Sequence, residues 1–186
     1  DYSNNHTHLH KYKGRWYLFY HSMNLRHHLG VKGGYRNVSV EEITVDESTV
    51  TIDMIPATYE GVSQIENMDP FETQQMETTA GTKDVRFEPY GSIGNMTACS
   101  DGTGSILVRG VDFRKKARAL TMEAMGTGRI EVRENDPQGK VIAVMDIDSP
   151  EMSGTKVRLA SSPSGVTDIC FLFKGEGLRI DSWRFR

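Results

Sequence analysis

Short runs in which apolar and polar residues alternate recur along this chain, and they constrain its fold more than any other feature. Gly, Asp, Asn and Ser bound these runs, whereas the apolar spacing of an amphipathic helix is nearly absent. A period of two places alternate side chains on opposite faces of an extended chain, so the runs indicate half-buried β-strands. We therefore expect an all-β protein.

The first part of the chain predicts a four-stranded antiparallel meander. The predicted strands are THLHKY, RWYLFYH, RNVSVEEITV and STVTIDMI, joined by KG, by the long segment SMNLRHHLGVKGGY and by DE. Sequential antiparallel strands with tight connections form the unit from which propeller blades are built. One blade cannot bury both of its faces, so we expect it to pack on something else or to belong to a larger body.

A linker is predicted where this alternation stops. The segment IPATYEGVSQIENMDPF contains Pro56, Gly61 and Pro70, which places a domain boundary near residue 70. Residues 71–186 then show about nine short strands, separated by turn signals such as GTG, NDPQG and SPSG. Many short strands at roughly 10-residue spacing are typical of a β-sandwich or barrel, and we expect a jelly roll.

Composition excludes several classes of partner. The net charge is -3 and the isoelectric point is about 6.1, without a basic stripe, so nucleic acid and anionic membranes are not expected partners. No apolar run approaches the roughly 20 residues that span a bilayer. The chain opens without a charged-then-apolar leader, so any secretion signal has been removed or was never part of this piece.

The two cysteines, Cys99 and Cys170, are too few for a disulfide framework. They also lack the C-x-x-C spacing of zinc and redox sites. Because both lie in strand-like sequence, we expect two buried thiols, with a single disulfide as the alternative.

Two groups of motifs resemble known families. The runs NNHTHLHKYKGRWYLFYHS and LGVKGGYRNVSVEEI resemble the last blade of a glycoside hydrolase family 43 enzyme. That family includes arabinofuranosidases and xylosidases on a five-bladed propeller. The run DPFETQQMET resembles the start of a family 6 carbohydrate-binding module, and VRGVDF, GRIEVRENDPQGKVIAVMDI, GVTDICFLFKG and IDSWRF match that module in order.

The resemblance implies the C-terminal portion of a polysaccharide-degrading hydrolase that is secreted, periplasmic or on the cell surface. Its ligand would be an oligo- or polysaccharide such as xylan or arabinoxylan. Glycoside cleavage needs two carboxyl groups flanking the bond, and family 43 enzymes take theirs from earlier blades. We therefore expect no catalytic residue here, with the missing blades as partners. A hydrolase within a longer chain and a structural buttress for the propeller are the alternatives.

Three histidines at alternate positions, His6, His8 and His10, would share one face of the first strand. The resemblance places His6 at the position of an axial histidine, which makes it a remnant of an active site. A three-histidine zinc site would require the strand to bend, because same-face neighbours lie about 7 Å apart. For His8 and His10 we expect a solvated strand face.

The family 6 resemblance implies a structural calcium ion. In relatives it ties the first strand of the module to the last, and the matching positions are Gln75, Glu77 and Asp181. Hard oxygen ligands suit calcium, and the single residue between Gln75 and Glu77 keeps both on one face of a strand. The alternative is that Gln75 and Glu77 are only exposed strand residues.

The sugar-binding cleft expected from the resemblance is altered in this sequence. Relatives use an early Tyr or Trp, a Trp in a Gly-Gly-Trp segment and an Asn before the closing Asp. In this sequence the segment expected to carry the Trp reads SPEMSGTKV, without an aromatic residue, and the Asn position is occupied by Arg179. Tyr90 and Phe87 remain as stacking platforms, and Arg179 could pair with a carboxylate or a sugar acid. Trp183 is expected in the core. The loop cleft is thus weakened, changed in specificity or lost, and the sequence does not locate the second, sheet-face cleft of some relatives.

Overall fold

Strands make up almost every regular element, which confirms the predicted all-β class. A computed structural model describes residues 6–29, 37–91 and 95–186. The chain divides into two units, Asp1–Gln64 and Ile65–Arg186, close to the predicted boundary near residue 70. Within the described ranges, no helix has the length and apolar character needed to cross a membrane.

The first unit contains a three-stranded antiparallel sheet in the order β1-β2-β3. Its elements are β1 Thr7–Tyr12, β2 Arg15–Ser22, α1 Asn24–Leu29, β3 Asn37–Ile43, β4 Val45–Asp46 and β5 Thr51–Ile52. The turn between β1 and β2 uses Lys13 and Gly14, both at positive φ, which suits the tight connection predicted from KG. The short helix α1 lies in the segment that was predicted as a long loop.

The structure differs from the predicted meander in its fourth strand. β5 pairs with β4 over two residues in a separate sheet instead of running along β3. The Asp46 carboxylate accepts hydrogen bonds from the backbone N–H groups of Ser48 and Thr49, which fixes the turn before β5. Further on, the Thr58 N–H and hydroxyl donate to the buried Glu41 carboxylate at 2.7 and 3.0 Å. That anchor directs the segment after β5 away from sheet pairing.

The second unit is one seven-stranded antiparallel sheet with four long strands. Its elements are β6 Gln74–Gln75, β7 Gly81–Lys83, β8 Arg86–Pro89, β9 Met96–Phe113, β10 Ala119–Glu134, β11 Val141–Arg158 and β12 Gly165–Phe185. The order is β11-β10-β12-β9-β7, with β6 paired to β12 and β8 paired to β9. β12 therefore lies at the centre of the sheet.

The long strands join runs that the sequence predicts as separate strands. RALTMEAM and RIEVRE both lie in β10, so the intervening GTG is part of a strand and not a turn. Gly126 and Gly128 have φ values of +105° and +150°, and a Cβ on either would lie 2.4 Å from a carbonyl oxygen of β12. Glycine is required there because two backbones approach more closely than any side chain allows.

The core lies between the two halves of these strands. Met122 and Ile130, on either side of the glycines of β10, are both 0% exposed and belong to the same hydrophobic cluster. One sheet encloses one core only if it folds over on itself, which gives the two layers of the predicted sandwich. Edge-to-face aromatic contacts close the core, including Phe113 on Phe185 at 5.0 Å between centroids.

Two predictions for single residues are confirmed in this core. Trp183 is 1% exposed and packs on Phe171 and Phe185. Cys99 and Cys170 are both buried and free, so the disulfide alternative is wrong.

Candidate functional site

The histidine strand lies at the edge of the first unit's sheet. β1 is exposed along its whole length, with the His8 and His10 rings stacked at 6.0 Å between centroids. His6 is also exposed and meets His21 of β2 edge-on at 5.6 Å. Within the described part of the chain, no group of three or more His, Cys, Asp or Glu side chains is arranged to hold a metal ion. The axial role of His6 stays a prediction.

In the second unit, the three predicted sugar-binding residues, Phe87, Tyr90 and Arg179, lie on or next to neighbouring strands of the sheet. Arg86 of β8, Cys99 of β9 and Arg179 of β12 are cross-strand neighbours on three adjacent strands. Tyr90 follows β8 directly and is half-buried. Its carbonyl oxygen accepts a hydrogen bond from the Asn95 side-chain amide, and its N–H donates to the Asn95 carbonyl. These bonds close the loop that carries Tyr90, whose residues 92–94 lie outside the described ranges.

Charged side chains from these strands form a connected network, called here the loop-end network: Arg86, Glu88, Asp101 and Arg179. The Glu88 carboxylate bonds Arg86 at 2.5 Å and Arg179 at 2.7 Å. Asp101 accepts from Arg86 at 2.8 Å and from the Gly177 N–H at 3.0 Å. The prediction that Arg179 pairs with a carboxylate is therefore met by Glu88.

These contacts shift the acidity of both carboxyl groups. The hydrogen bond from Arg86 lowers the pKa of Glu88, and the charge of Arg179 adds to this effect. The backbone N–H of Gly177 lowers the pKa of Asp101, followed by the hydrogen bond from Arg86. Both groups are therefore anionic at neutral pH, and the network holds two anions and two cations in fixed positions.

Phe87 does not share this face with its neighbours. It lies opposite Ala98 of β9 and packs against the hydrophobic core, whereas Arg86 and Glu88 lie on the other side of the strand. The structure thus leaves Tyr90 as the candidate stacking surface of the two that the sequence predicts.

The residues predicted to hold calcium lie at or next to the pairing of β6 with β12, with Gln75 exposed and Glu77 half-buried. Gln75 pairs with Ser182, and the next N–H, that of Met76, donates to the carbonyl of Asp181 at 2.9 Å. Asp181 Oδ1 accepts from the Asn95 amide at 2.7 Å. Glu77 Oε2 is buried without a hydrogen-bond partner. A buried carboxylate oxygen without a partner is costly unless a cation or water satisfies it, so the donor set fits a hard cation.

A second charged cluster, which the sequence analysis does not single out, lies on β10 and β12. Glu131 accepts hydrogen bonds from Lys174 at 2.5 Å and from Arg133 at 2.6 Å, and its side chain is only 12% exposed. The bond from Lys174, followed by that from Arg133, lowers the pKa of Glu131. Alternation in RIEVRE places Glu131 and Arg133 on one face, but the contact with Lys174 depends on long-range strand pairing.

Comparison with known proteins supports the resemblance. No protein-family model matches the chain. It is 29% identical over 191 residues to an arabinoxylan arabinofuranohydrolase from Bacillus subtilis (strain 168), covering 94% of this chain and 37% of the relative. A protein of the same name from Paenibacillus polymyxa is 26% identical over 200 residues, covering 98% of this chain and 31% of the relative. The chain thus spans about a third of the length of these relatives.

Solved structures agree with this assignment. A glycoside hydrolase family 43 arabinoxylan arabinofuranohydrolase from Bacillus subtilis, in complex with cellotetraose, superposes with a TM-score of 0.79 at 26% identity over 98% of this chain and 41% of that one. A family 6 carbohydrate-binding module from Clostridium stercorarium, in complex with cellobiose, gives a TM-score of 0.59 at 18% identity over 66% of this chain and 98% of that one. The chain is therefore homologous to the C-terminal part of family 43 arabinoxylan arabinofuranohydrolases, and it contains the fold of a family 6 carbohydrate-binding module.

Proposed function

We propose that this relative of the C-terminal part of family 43 arabinoxylan arabinofuranohydrolases binds arabinoxylan-like glycans through residues 65–186. The binding unit would hold a secreted polysaccharide-degrading enzyme near its substrate and so raise the local substrate concentration. Support comes from the relatives and from a jelly-roll module of the same fold as known carbohydrate-binding modules. We assign no catalytic residue to this chain.

The observation that carries the proposal is the loop-end network beside Tyr90. Sugar recognition combines a flat aromatic surface with planar polar groups that donate to and accept from hydroxyl groups. Arg179 and Glu88 hold each other at 2.7 Å, which fixes a donor and an acceptor next to one another. A preorganised pair of this kind loses little conformational entropy on binding.

Calorimetric titration with xylotetraose and soluble arabinoxylan tests this site. We expect Tyr90→Ala and Arg179→Ala each to weaken binding about tenfold, equivalent to about 1.4 kcal/mol. Arg129→Ala is the matched control, since Arg129 pairs with Asp146 in an exposed ion pair outside the network. Absence of binding by the wild-type chain at millimolar oligosaccharide would contradict the proposal and leave the module a structural role.

The cluster of Glu131, Arg133 and Lys174 is the second candidate for glycan contact. Its charged groups are also held in place by one another, on the face of the sheet. Lys174→Ala should weaken binding if this face takes the glycan, whereas Tyr90→Ala and Arg179→Ala would then leave the affinity unchanged. The same titrations therefore separate the two surfaces.

We further propose that the site of Gln75, Glu77 and Asp181 holds a structural calcium ion. The amide oxygen of Gln75 and the carboxylates of Glu77 and Asp181 would be the side-chain ligands. A bound calcium ion would satisfy the unpartnered Glu77 oxygen and tie β6 to β12.

Thermal unfolding with calcium and with a chelator tests that proposal. An ion that binds only the folded state stabilises that state, so chelation of calcium should lower the melting temperature of the chain. Glu77→Gln should abolish the difference between the two conditions, whereas Glu151→Gln, at an exposed position elsewhere in the unit, should preserve it. Equal melting temperatures for the wild type with and without calcium would contradict the site.

The first unit is proposed to be a propeller blade that other blades complete, with His6 as its contribution to the enzyme's centre. On this basis the chain alone has no hydrolase activity, although a longer protein containing it would have one. Incubation with wheat arabinoxylan and analysis of released arabinose and xylose tests this claim. Measurable release by the purified chain would overturn it.

A further inference from the structure

A small pocket in the second unit is lined by charged and polar residues that neither the loop-end network nor the proposed calcium site includes. Its volume is about 110 Å³, which is room for several water molecules or one small ion. Thr121, Glu123, Arg184 and Arg186 are among its lining residues. Trp183 also borders the pocket, but its ring packs in the core on the opposite face of β12, so it offers nothing to a ligand there.

Thr121 and Arg184 carry polar atoms that lack partners. The two residues lie opposite each other on β10 and β12. Their neighbours Leu120 and Phe185 belong to the core, so both side chains project from the other face of the sheet. Thr121 Oγ1 and Arg184 Nε are both buried, and neither has a hydrogen-bond partner among the described residues. Buried polar atoms in folded proteins nearly always have partners, so a bound group is expected at this pair.

Positive charge is concentrated around the pair. Lys156 of β11 lies opposite Thr121, on the side away from Arg184. Arg158 and Arg186 flank β10 two residues further along, on the same face and about 7 Å away. In the part of the chain that the structure describes, none of these four cations forms an ion pair. All four act on the pocket within the screening distance of physiological salt, so the pocket favours an anion.

One carboxylate lines the same pocket and restricts which anion fits. Glu123 lies two residues from Thr121 on the same face of β10, and Gly154 of β11 leaves space for its carboxylate. A carboxylate only accepts hydrogen bonds, whereas the Arg184 Nε–H only donates. Sulfate has no hydrogen at neutral pH and would meet Glu123 as a bare anion. Inorganic phosphate keeps at least one hydrogen there, so it can donate to the carboxylate while its other oxygens accept.

We infer that this pocket binds inorganic phosphate. Arg184 and Thr121 donate to two phosphate oxygens, and the hydrogen of the phosphate ion donates to Glu123. Guanidinium groups are well suited to phosphate, and the neighbouring cations offset its negative charge. The bound ion links β10 to β12 on the outer face of the sheet, and it stabilises the folded unit because the unfolded chain has no such site. This binding is independent of the proposed glycan binding.

The Arg184 Nε–H signal in a ¹H–¹⁵N correlation spectrum of the full chain provides a direct test. Sodium phosphate is added at neutral pH while sodium chloride keeps the ionic strength constant, and the Arg184→Lys spectrum assigns the signal. We expect the signal to move and to saturate in the millimolar range. The Arg129 Nε–H, which donates to Asp146 at 2.7 Å, is the reference and should stay in place. An Arg184 signal that does not respond would overturn the inference and leave the pocket to water.

Variants separate a specific site from general attraction of charge. Arg184→Lys keeps the charge but removes the Nε–H, and Thr121→Val removes the hydroxyl at nearly constant volume. Each should weaken phosphate binding about tenfold, measured from the rise in melting temperature with phosphate concentration. Arg109→Lys and Thr103→Val, at exposed positions of β9, should leave the binding unchanged. Equal phosphate affinity in wild type and Arg184→Lys would contradict the site, because charge alone would then explain the attraction.

The choice of anion has its own test. Wild type should bind phosphate about tenfold more tightly than sulfate, because only phosphate can donate to Glu123. Glu123→Gln should abolish this preference, since an amide can donate to sulfate as well as accept from phosphate. Glu176→Gln, at an exposed position of β12, should preserve it. Sulfate binding as tight as phosphate binding in the wild-type chain would overturn the assignment of the ligand.

Discussion

At the scale of single residues, Glu131 is the carboxylate for which the structure gives the clearest prediction of how stability depends on pH. Its side chain is 12% exposed and accepts from Lys174 and Arg133, and these bonds lower its pKa in the folded state. A lowered folded-state pKa means that the stabilisation is present above the unfolded-state pKa. It is lost as the pH falls through the folded value.

Glu131→Gln should therefore lower the stability at pH 7 by roughly 1.5–3 kcal/mol, the range for a hydrogen bond to a charged group. The variant should also flatten the fall in melting temperature between about pH 5 and pH 3. Calorimetric melting across that range checks both effects. Glu134→Gln on the same strand is the control, and parallel pH curves for wild type and Glu131→Gln would contradict the assignment.

The two cysteines carry a second prediction at this scale. Burial raises the pKa of Cys170 to about 11, and burial also raises the pKa of Cys99. Since the thiolate is the reactive form, neither thiol should react with Ellman's reagent in the native protein at pH 8. Both should react in guanidinium chloride. Rapid labelling of a thiol before unfolding would show that one of the strands opens locally.

Residue-level prediction from sequence succeeded where strand alternation fixes a face and failed where that signal was not applied. Trp183 was predicted in the core because tryptophan in strand-like sequence is usually highly buried. Phe87 was predicted as a stacking platform, although its position between Arg86 and Glu88 already assigns it to the opposite, apolar face. The partner of Arg179 could not be named, because Glu88 reaches it only through the pairing of β8, β9 and β12.

At the scale of elements, the glycines of β10 decide how the long strands pass one another. A Cβ at Gly126 would lie 2.4 Å from the Gly177 oxygen, whereas Gly102 has a similar positive φ with nothing within 4 Å. Gly102→Ala should cost only the backbone strain, about 1–2 kcal/mol. Gly126→Ala should cost about 1–3 kcal/mol more, because the strands must also separate.

Urea unfolding of both variants measures this difference. Because the two glycines share the positive φ, the comparison isolates the close approach of β10 and β12. Equal losses of stability would mean that the strands part easily at this point.

The same glycines explain why strand lengths could not be predicted. NDPQG and SPSG do connect strands, as expected from their turn residues. GTG lies inside β10, because glycine permits a close crossing as well as a turn. NDPQG and SPSG each contain Pro, which a central strand excludes, whereas the glycines of GTG suit both uses. The alternating runs on either side were identified correctly.

At the scale of the whole molecule, the two units differ in how much they bury. Every member of the hydrophobic cluster lies between Phe71 and Phe185, in the second unit. Among the described residues of the first unit, only Tyr17, Glu41 and Ile43 are buried. Stability should therefore reside in the second unit, since burial of apolar surface supplies most of the folding free energy.

Residues 65–186 expressed alone should unfold cooperatively, whereas residues 1–64 alone should show no cooperative transition. Circular dichroism during heating checks both. A matched truncation, residues 65–177, removes the last part of β12 and should not fold. A cooperative transition in residues 1–64 would contradict this division.

The all-β class and the likeness to a family 6 carbohydrate-binding module were accessible from the sequence at this scale, because the alternating runs and the motif order extend over most of the chain. The two-layer arrangement was predicted from the spacing of the short strands, which is typical of a β-sandwich or barrel. Which halves of the long strands face each other depends on contacts between residues far apart in the chain.

The central place of β12 also sets an order of events during synthesis. β12 pairs with both β9 and β10, yet it is translated after them. Until it leaves the ribosome, β9 and the β10–β11 hairpin have no strand between them and expose apolar faces. The nascent module therefore cannot complete its core until β12 emerges, which leaves apolar faces open to chaperones through most of its translation.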